Sequence, residues 1–471
     1  MSATHDRLSD APGGMAAHGS GGVTDDVTPG ERFYQSLLDQ DTREVPVSLR
    51  ATSPGHLEQT EIAPERYYDP GFHALEVERM WRRVWQMACR EEQIPEVGDS
   101  LVYEIADASL IVVRSAPGEI KAFHNSCLHR GTQLRTRSGR VTNFRCPFHG
   151  FTYDLDGTLC EVPCAWDFPD FAVGSTKLPE ARVATWGGFV FVNLDPEAPP
   201  LEDYLEVLPE HFAAWPLEDR YLKAHIVRTM PCNWKVALEA FIEAYHTKTV
   251  HPQLLPTAAD SMTEYDVYGR HVSRMVTAVG VQSDHLDRKL DEAEIFAAMV
   301  ERRDAEVALD PGTTARRALA DRVRASLARK TGRDCSHLSD AETLDGIEYF
   351  LFPNFMPWAG AGTLTPFAYR FRPDGNDPES CIIDIMILEP VPEGGERPPA
   401  ASTRVLGPDE SWGDVPELGV FGRVFNQDGA TFSRIQRGLR ASARPSLTLG
   451  RYQESRIRHL HTTLDEYIAG R

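Results

Sequence analysis

The spacing of apolar residues changes near Gly98. Before that glycine they recur at helical spacing, which predicts a helix after Pro64 built on Phe72, Leu75, Val77, Met80, Trp81, Val84 and Trp85. Beyond it, short apolar runs such as Leu101–Glu104 and Leu110–Val113 are separated by turn residues and predict strands. Because the strands continue to Phe189–Val192, the region is expected to be a small all-β domain.

The second half of the chain mixes helical and strand patterns. Asn233 is expected to cap a helix from Trp234 to about Thr247, and the charged stretch Asp284–Arg333 predicts two or three surface helices. The remaining predicted elements are strands Ile347–Phe355, Ala368–Phe371 and Cys381–Leu388, then closing helices Phe432–Leu439 and Tyr452–Tyr467. Strands and helices without a βαβ rhythm predict an α+β domain.

These patterns divide the 471 residues into four parts. Residues 1–45 are expected to form a disordered tail, since apolar residues are sparse up to about Gly30. Residues 46–97 are expected to be a helical segment packed on the second domain. The β domain then covers 98–200, and the second domain, an antiparallel sheet covered by helices, covers 201–471.

Charge and hydropathy exclude some classes of function. A formal net charge of -21 argues against nucleic acid and against anionic membranes as partners. The longest apolar runs are too short to cross a bilayer. The N-terminus lacks the basic-then-apolar pattern of a signal peptide, so a cytoplasmic protein is expected.

Two mixed Cys and His pairs lie in the β domain. Cys127 and His129 form a Cys-x-His step, and Cys146 and His149 form a Cys-x-x-His step. Two thiolates on one iron and two imidazoles on the other are typical of a Rieske 2Fe–2S cluster. A structural Cys2His2 zinc site has the same ligand count and is the alternative, although zinc fingers usually pair Cys with Cys and His with His.

The segment around these pairs contains no acidic residue. Between Lys121 and Tyr153 there is no Asp or Glu, whereas the same stretch holds Lys121, Arg130, Arg135, Arg137, Arg140 and Arg145. We call these six cations the basic collar. A chance gap in the acidic residues is one interpretation. The other is a surface that docks an acidic redox partner.

A second metal site is indicated after Asn233. On a continuous helix Glu239, Glu243 and His246 would share one face. His251 would lie elsewhere on the helix, but Pro252 disfavours helical backbone at His251, so the two imidazoles can converge if the helix breaks. A facial triad for iron needs one carboxylate more, for which Asp428 is the candidate; taken alone, Asp428 is more typical of a helix N-cap.

Together, these motifs resemble the large (α) subunit of the Rieske non-heme iron oxygenases, also called aromatic-ring-hydroxylating oxygenases. The resemblance covers about Pro64 to the C-terminus and includes the late Gln-Asp…Gln-Arg-Gly-Leu element. It implies the cluster ligands Cys127, His129, Cys146 and His149, and the mononuclear Fe(II) ligands His246, His251 and Asp428. It also implies that Glu243 bridges His149 of one subunit to His246 of its neighbour. Ala240 departs from relatives that carry Asn there.

The resemblance further implies a function. The protein would be a terminal oxygenase that uses O2 and electrons from NAD(P)H, delivered by a separate reductase and in some relatives a ferredoxin. It would assemble as a homotrimer, or as α3β3 with a small β subunit. Its reaction would be monohydroxylation, cis-dihydroxylation or oxidative demethylation of an apolar, aromatic or polycyclic small molecule.

Two other classes of function stay open at this point. One is a Rieske electron-transfer protein without oxygenase activity, and the other is a zinc-stabilised interaction protein. The region from about Thr257 to Pro366 and the segment before Asp428 are expected to line the substrate pocket. Four residues there suit an apolar compound: Phe352, Phe355, Met356 and Trp358.

Overall fold

The computed structural model describes residues 27–53, 55, 57, 60–300, 308–361 and 367–471. Its first element is helix α1 (Pro29–Leu38), which begins at a capping box opened by Thr28. Tyr34 of this helix is fully buried, and its hydroxyl donates to Asp345 Oδ2 at 3.0 Å. The predicted disordered tail is therefore wrong from Pro29 onward, because a few apolar side chains suffice to dock the helix. Residues 1–26 of that tail lie outside the described residues.

The helices after α1 are short in the first half of the chain and longer towards the C-terminus. They are α2 (Val47–Arg50), α3 (Pro70–Glu76), α4 (Leu201–Leu205), α5 (Leu208–His211), α6 (Trp234–Glu239), α7 (Thr247–Val250), α8 (Glu292–Met299), α9 (Ala315–Thr331), α10 (Asp340–Leu344), α11 (Phe421–Ala441) and α12 (Ser455–Ile468). In the part of the chain that the structure describes, no helix is both long and apolar enough to cross a membrane.

The helix predicted after Pro64 is interrupted and ends early. A 3-10 turn (Pro64–Tyr67) precedes α3, which runs into a π-helical turn (Val77–Trp81). The next residues, Gln86–Arg90, form a strand, so the segment predicted as helical over 46–97 contains a strand. All five of its residues are buried. A strand buried on both faces loses its alternating pattern, and its apolar residues then look like a continued helix.

Two sheets build the β domain. A hairpin-rich sheet has the order β2-β11-β10-β5-β4-β3-β6, and a small one has the order β7-β8-β9. A separate strand, β1 (Glu61–Ile62), pairs with Leu447–Thr448. The strands are β2 (Gln86–Arg90), β3 (Asp99–Ile105), β4 (Ala108–Ala116), β5 (Glu119–His124), β6 (Gly139–Arg140), β7 (Phe144–Arg145), β8 (Thr152–Tyr153), β9 (Leu159–Glu161), β10 (Glu180–Trp186) and β11 (Phe189–Asn193).

The second domain is built on an eight-stranded sheet of order β13-β14-β15-β16-β17-β18-β12-β19. The predicted antiparallel sheet is confirmed, except that the edge strand β19 runs parallel to β12. Its strands are β12 (Arg220–Met230), β13 (Glu264–Tyr268), β14 (Val272–Thr277), β15 (Gly346–Leu351), β16 (Phe355–Pro357), β17 (Phe367–Asp374), β18 (Asp377–Pro390) and β19 (Thr403–Leu406). The last strand of the chain, β20 (Leu447–Thr448), pairs with β1 instead. The observed architecture is α+β, as the sequence predicts.

The hydrophobic cores place the metal-site motifs. One large core is continuous from the seven-stranded sheet to the eight-stranded sheet, where the ring of Phe355 lies 4.8 Å from that of Phe189. A second, smaller core lies inside the β domain and includes Cys127 and Cys146. The side chains of the two cysteines are thus packed among the apolar residues of this smaller core.

Candidate metal centres

Two loops of the β domain hold the Cys and His pairs in matching conformations. Cys127 N–H donates to Thr132 O at 2.9 Å, and Cys146 N–H donates to Phe151 O at 2.8 Å. Each loop also closes four residues after its cysteine, where the N–H of Gly131 or Gly150 donates back to the cysteine carbonyl. Both glycines have positive φ, a conformation that only glycine adopts readily.

The loops place thiols inside and imidazoles outside. Cys127 and Cys146 are buried, His129 is half-buried and His149 is exposed. The two imidazole rings lie 4.7 Å apart between centroids. The Tyr153 hydroxyl lies 3.5 Å from Cys127 Sγ and accepts the N–H of Leu128 at 3.0 Å. This arrangement suits a cluster with one iron on the buried thiolates and the other on the imidazoles, which lie nearer the surface.

The zinc alternative requires all four donor atoms to converge on one ion. Within the described ranges, the one group of three or more potential ligands whose donor atoms all lie within 4.8 Å of one another is His246, His251 and Asp428. The Cys and His pairs do not converge in this way. Four donors on one zinc ion would form such a group, so the structure does not favour the zinc alternative.

The helix after Asn233 is shorter than predicted, and its early end brings the two histidines together. α6 ends at Glu239 rather than near Thr247, and a turn leads to His246 before the single turn α7. His251 leaves helical backbone with φ -123° and ψ 51°, next to Pro252. The predicted break before Pro252 is therefore observed, with an additional break at Glu239.

Asp428 lies in the middle of α11, not at the start of a helix as predicted. It is buried, and its Oδ1 lies 2.8 Å from His251 Nε2 and 3.6 Å from His246 Nε2. The N-cap interpretation is excluded because α11 begins at Phe421. The sequence misplaces this helix start because Asn426 and Asp428 look like capping residues.

Two acceptors orient the histidines. His246 Nδ1 lies 2.6 Å from Glu243 Oε1, and His251 Nδ1 lies 3.1 Å from Gln427 Oε1. Because each of these oxygens accepts a hydrogen bond, the Nδ1 atom that it contacts carries the proton. The lone pair of each neutral ring is therefore on Nε2. Gln427 was not singled out by the sequence analysis, although its place directly before Asp428 is a usable signal.

The resulting electrostatics favour a cation. The Nε2 atoms of His246 and His251 both face the buried Asp428 carboxylate, so three hydrogen-bond acceptors point at one another without a donor between them. A metal ion, or added protons, would remove this mismatch. Burial opposes a charged His246, but Glu243, Asp428 and Asp260 together hold its pKa above the usual value. Two imidazoles and one carboxylate on one side of a site are the donors of the iron facial triad, so these residues fit a mononuclear iron.

Glu239 is separated from this group. Its Oε1 accepts from the Tyr67 hydroxyl and from His461 Nε2, both at 2.8 Å. Glu243 alone, of the two acids predicted on one face with His246, contacts that histidine. Within the chain, the exposed His149 has its Nε2 3.3 Å from Arg130 Nη2.

An aromatic cluster forms around Tyr369, and two of its rings lie on segments that carry triad residues. The ring of Tyr369 lies 5.2 Å from Phe241, 6.1 Å from Phe425 and 6.1 Å from Trp358. Phe241 precedes His246 by five residues, and Phe425 lies one helical turn before Asp428. Of the predicted pocket residues, Trp358 belongs to this cluster, Met356 pairs with Tyr369 across neighbouring strands, and Phe352 and Phe355 pack against other parts of the core.

Comparison with family models covers both domains. The model for the ring hydroxylating alpha subunit (catalytic domain) matches residues 210–470, more than half of the chain. The model for the Rieske [2Fe-2S] domain matches residues 84–172. The second match begins before the β domain predicted at 98, in agreement with the strand found at Gln86–Arg90.

Curated relatives match over part of their length. The glycine betaine monooxygenase oxygenase subunit of Chromohalobacter salexigens is 36% identical over 206 residues, which are 43% of this chain and 45% of that protein. The anthranilate 1,2-dioxygenase large subunit of Acinetobacter baylyi is 33% identical over 236 residues, 48% of this chain and 47% of that protein. The chain thus spans about half the length of the curated relatives it matches.

Solved structures share the fold at low identity. The quaternary ammonium Rieske monooxygenase CntA in complex with L-carnitine has a TM-score of 0.59 at 18% identity, covering 87% of this chain and 96% of that one. Naphthalene 1,2-dioxygenase with indole bound has a TM-score of 0.61 at 17% identity, covering 87% and 92%. Because the alpha-subunit model covers more than half of the chain and the Rieske model covers the domain before it, this chain belongs to the Rieske oxygenase alpha subunits, a family with a Rieske 2Fe–2S cluster and a mononuclear iron.

Proposed function

We propose that the protein is the terminal oxygenase of a multicomponent system that hydroxylates or oxidatively demethylates a small molecule. The observation that carries this proposal is the triad of the half-buried His246 with the buried His251 and Asp428, in which acceptors orient both imidazoles. An electron carrier needs a cluster but has no use for such a triad. A bound iron would supply the chemistry of dioxygen activation, and three ligands on one side leave positions open for dioxygen and substrate.

The roles of the individual residues follow from this proposal. Glu243 and Gln427 orient the two imidazoles, and the aromatic cluster excludes water and holds the substrate beside the triad. The proposed cluster ligands are Cys127, His129, Cys146 and His149, and the proposed iron ligands are His246, His251 and Asp428.

The substrate is proposed to be an apolar or aromatic small molecule held against Trp358, Tyr369 and Phe425. The support is that these aromatic rings pack together and that Phe425 lies one helical turn before Asp428. A second candidate is a quaternary ammonium compound, because aromatic rings also bind such cations. Two matched proteins carry this class in their names, glycine betaine monooxygenase and carnitine monooxygenase.

A substrate panel tests the proposed function. Purified protein, with its cluster and iron loaded, is supplied with a reductase and NADH, and product formation is followed for flat aromatic compounds, aromatic acids, betaines and carnitine. We expect product from one class and dioxygen uptake that depends on that class. Cluster reduction and reoxidation without product from any class would favour the electron-transfer alternative.

Electrons are proposed to come from NAD(P)H through a separate reductase, with or without a ferredoxin, and to cross between subunits of a homotrimer or α3β3 assembly. Glu243 is the proposed bridge, because its carboxylate holds His246 through both oxygens, at 2.6 Å to Nδ1 and 3.0 Å to the backbone N–H. We expect Glu243→Gln and Glu243→Ala to keep cluster and iron but to lower turnover by about 10–100-fold. Rapid-mixing spectra of cluster reoxidation check this, and wild-type electron transfer in Glu243→Ala would reject the bridge.

The basic collar is partly neutralised in the folded protein. Lys121 lies 3.2 Å from Glu180, and Arg140 lies 2.8 Å from Asp99, whereas Arg137 is exposed. These acidic partners come from other strands, so the acid-free sequence overstates the positive charge of the surface. Arg137 is the better candidate for docking an acidic electron donor.

We expect electron delivery to slow as salt rises, because the Debye length shortens to about 8 Å at physiological ionic strength. Arg137→Glu should slow reduction of the cluster by the reductase or ferredoxin at low salt. Arg140→Glu is the matched control and should have the smaller effect, since that charge is already paired. Stopped-flow measurements of the rate of cluster reduction test this prediction. Equal rates for both variants at every salt concentration would exclude docking at Arg137.

A further inference from the structure

A buried carboxylate outside the triad has one oxygen without a partner. Asp260 opens a 3-10 turn (Asp260–Met262) and is 1% exposed. Its Oδ1 is buried and has no hydrogen-bond partner among the described residues, as is also true of the Ser261 hydroxyl. A buried carboxylate oxygen left unsatisfied is costly, so its presence calls for a function or for an ordered water.

The other oxygen of this carboxylate leads to the surface. Asp260 Oδ2 lies 3.0 Å from Nδ1 of His285, whose side chain is 23% exposed. The His285 backbone N–H donates to Ser283 Oγ at 2.9 Å, and Ser283 N–H donates to Leu255 O at 2.8 Å. The histidine is therefore held against the segment that directly follows the triad residue His251.

Hydrogen bonds also connect the Asp260 turn to the turn that carries Glu243 and His246. Gln453 Nε2 donates to Ser261 O at 2.9 Å, and the Tyr265 hydroxyl donates to Gln453 Oε1 at 3.3 Å. The same hydroxyl accepts the N–H of Ala244 at 2.9 Å. The Asp260 turn is therefore joined through Gln453 and Tyr265 to the turn that carries Glu243 and His246.

We propose that His285 and Asp260 form a proton relay from solvent to the iron site. The inference rests on the proposed oxygenase function, because that chemistry consumes protons. Monohydroxylation converts a C–H bond, dioxygen, two electrons and two protons into a C–OH group and water. Cis-dihydroxylation places the same two electrons and two protons, with both oxygen atoms, in the product.

The relay conserves atoms and charge at each residue. A solvent proton binds Nε2 of His285 while the Nδ1 proton passes to Asp260 Oδ2. The protonated carboxyl group then turns about its Cβ–Cγ bond, so that its O–H takes the position of the unpartnered Oδ1, and it releases the same proton to a water there. Rotation of the partly exposed imidazole, or proton exchange with solvent, restores the starting tautomer.

Three variants test the relay in the loaded holoenzyme with its reductase. We expect His285→Ala and Asp260→Asn each to lower kcat about 10²-fold or more with the substrate KM unchanged, the size usual for a lost general acid. The solvent deuterium isotope effect on kcat should rise in both. Added imidazole should restore turnover in His285→Ala but not in Asp260→Asn, because the buried carboxylate would still be missing.

The control is a second histidine–carboxylate pair of the same geometry. His271 Nδ1 lies 3.1 Å from Glu206 Oε1 and the ring also contacts the Tyr467 hydroxyl, so His271→Gln tests the loss of a structural pair. It should leave kcat and the isotope effect as in the wild type.

Readouts other than turnover separate a relay from a structural role. Iron content, unfolding temperature and substrate binding should stay as in the wild type for His285→Ala. Infrared difference spectra in H2O and D2O should show a carboxyl band that Asp260→Asn removes and His285→Ala shifts. Lost iron or substrate binding without imidazole rescue, or wild-type kcat in His285→Ala, would overturn the relay. Failure of the wild type to form product with any substrate would instead count against the proposed function.

Discussion

Cys146→Ser is expected to abolish the visible spectrum of the cluster and all reductase-driven turnover, while the mononuclear iron stays bound. Serine keeps the size of the side chain, and the loop is held by backbone hydrogen bonds from Cys146 N–H to Phe151 O and from Gly150 N–H to Cys146 O. The loop should therefore fold, but an alcohol cannot replace a thiolate on iron. Visible absorption and acid-labile sulfide, measured with total iron, check the result.

The control for this variant is Cys160→Ser. Cys160 is an exposed thiol of the same domain, and its Sγ donates to Thr152 O rather than lying in either loop. It should keep the wild-type spectrum and turnover. A full cluster spectrum in Cys146→Ser would show that the ligand assignment is wrong.

Asp428→Ala is expected to produce the opposite loss: the mononuclear iron disappears and the cluster spectrum stays. The carboxylate is the one anionic donor of the triad, and its Oδ1 lies 2.8 Å from His251 Nε2. Changing an outer partner of a metal ligand costs about 10–100-fold in affinity or activity, so losing a ligand should cost more. Alanine favours helix, and α11 should remain intact.

Iron and sulfide analysis with turnover assays checks this second result. Thr431→Ala is the control, since it lies on the same helix and its hydroxyl donates to the Asp428 carbonyl at 2.7 Å, not to the carboxylate. It should keep both metals. If Asp428→Ala retained its mononuclear iron and wild-type turnover, the triad would have to be assigned to other residues.

The sequence alone predicts the cluster loops well because their determinants are local. Cys127, His129, Cys146 and His149 lie on two turns whose glycines follow at the same spacing. Each loop closes on itself through backbone hydrogen bonds. The spacing of these residues along the chain therefore determines most of the geometry of the two cluster loops.

The iron site is harder to predict because its parts converge through tertiary packing. Spacing placed His246 and His251 near each other, but α11 is what brings Asp428 and Gln427 to them. The helix breaks at Glu239 although its apolar pattern continues, so periodicity alone overextends it. Asp428 is identified by the order of motifs in the family that the chain resembles, and not by the residue pattern around it.

Pairings between distant segments cannot be predicted from the sequence for the same reason. The positive stretch around Arg140 looks uncompensated until β3 places Asp99 beside it. Helix α1 looks polar, yet Tyr34 docks on Asp345, more than three hundred residues away in the chain. Both effects depend on the three-dimensional fold and not on local composition.

The most direct test of the oxygenase assignment follows the atoms of dioxygen. Loaded protein with reductase and NADH is given ¹⁸O-labelled dioxygen and the substrate class that supports dioxygen uptake. The account predicts that labelled oxygen appears in the product, or in the aldehyde released by demethylation after correction for exchange with water, and that Asp428→Ala yields none. If the cluster were repeatedly reduced and reoxidised while ¹⁸O appeared only in water or peroxide, the oxygenase assignment would be contradicted.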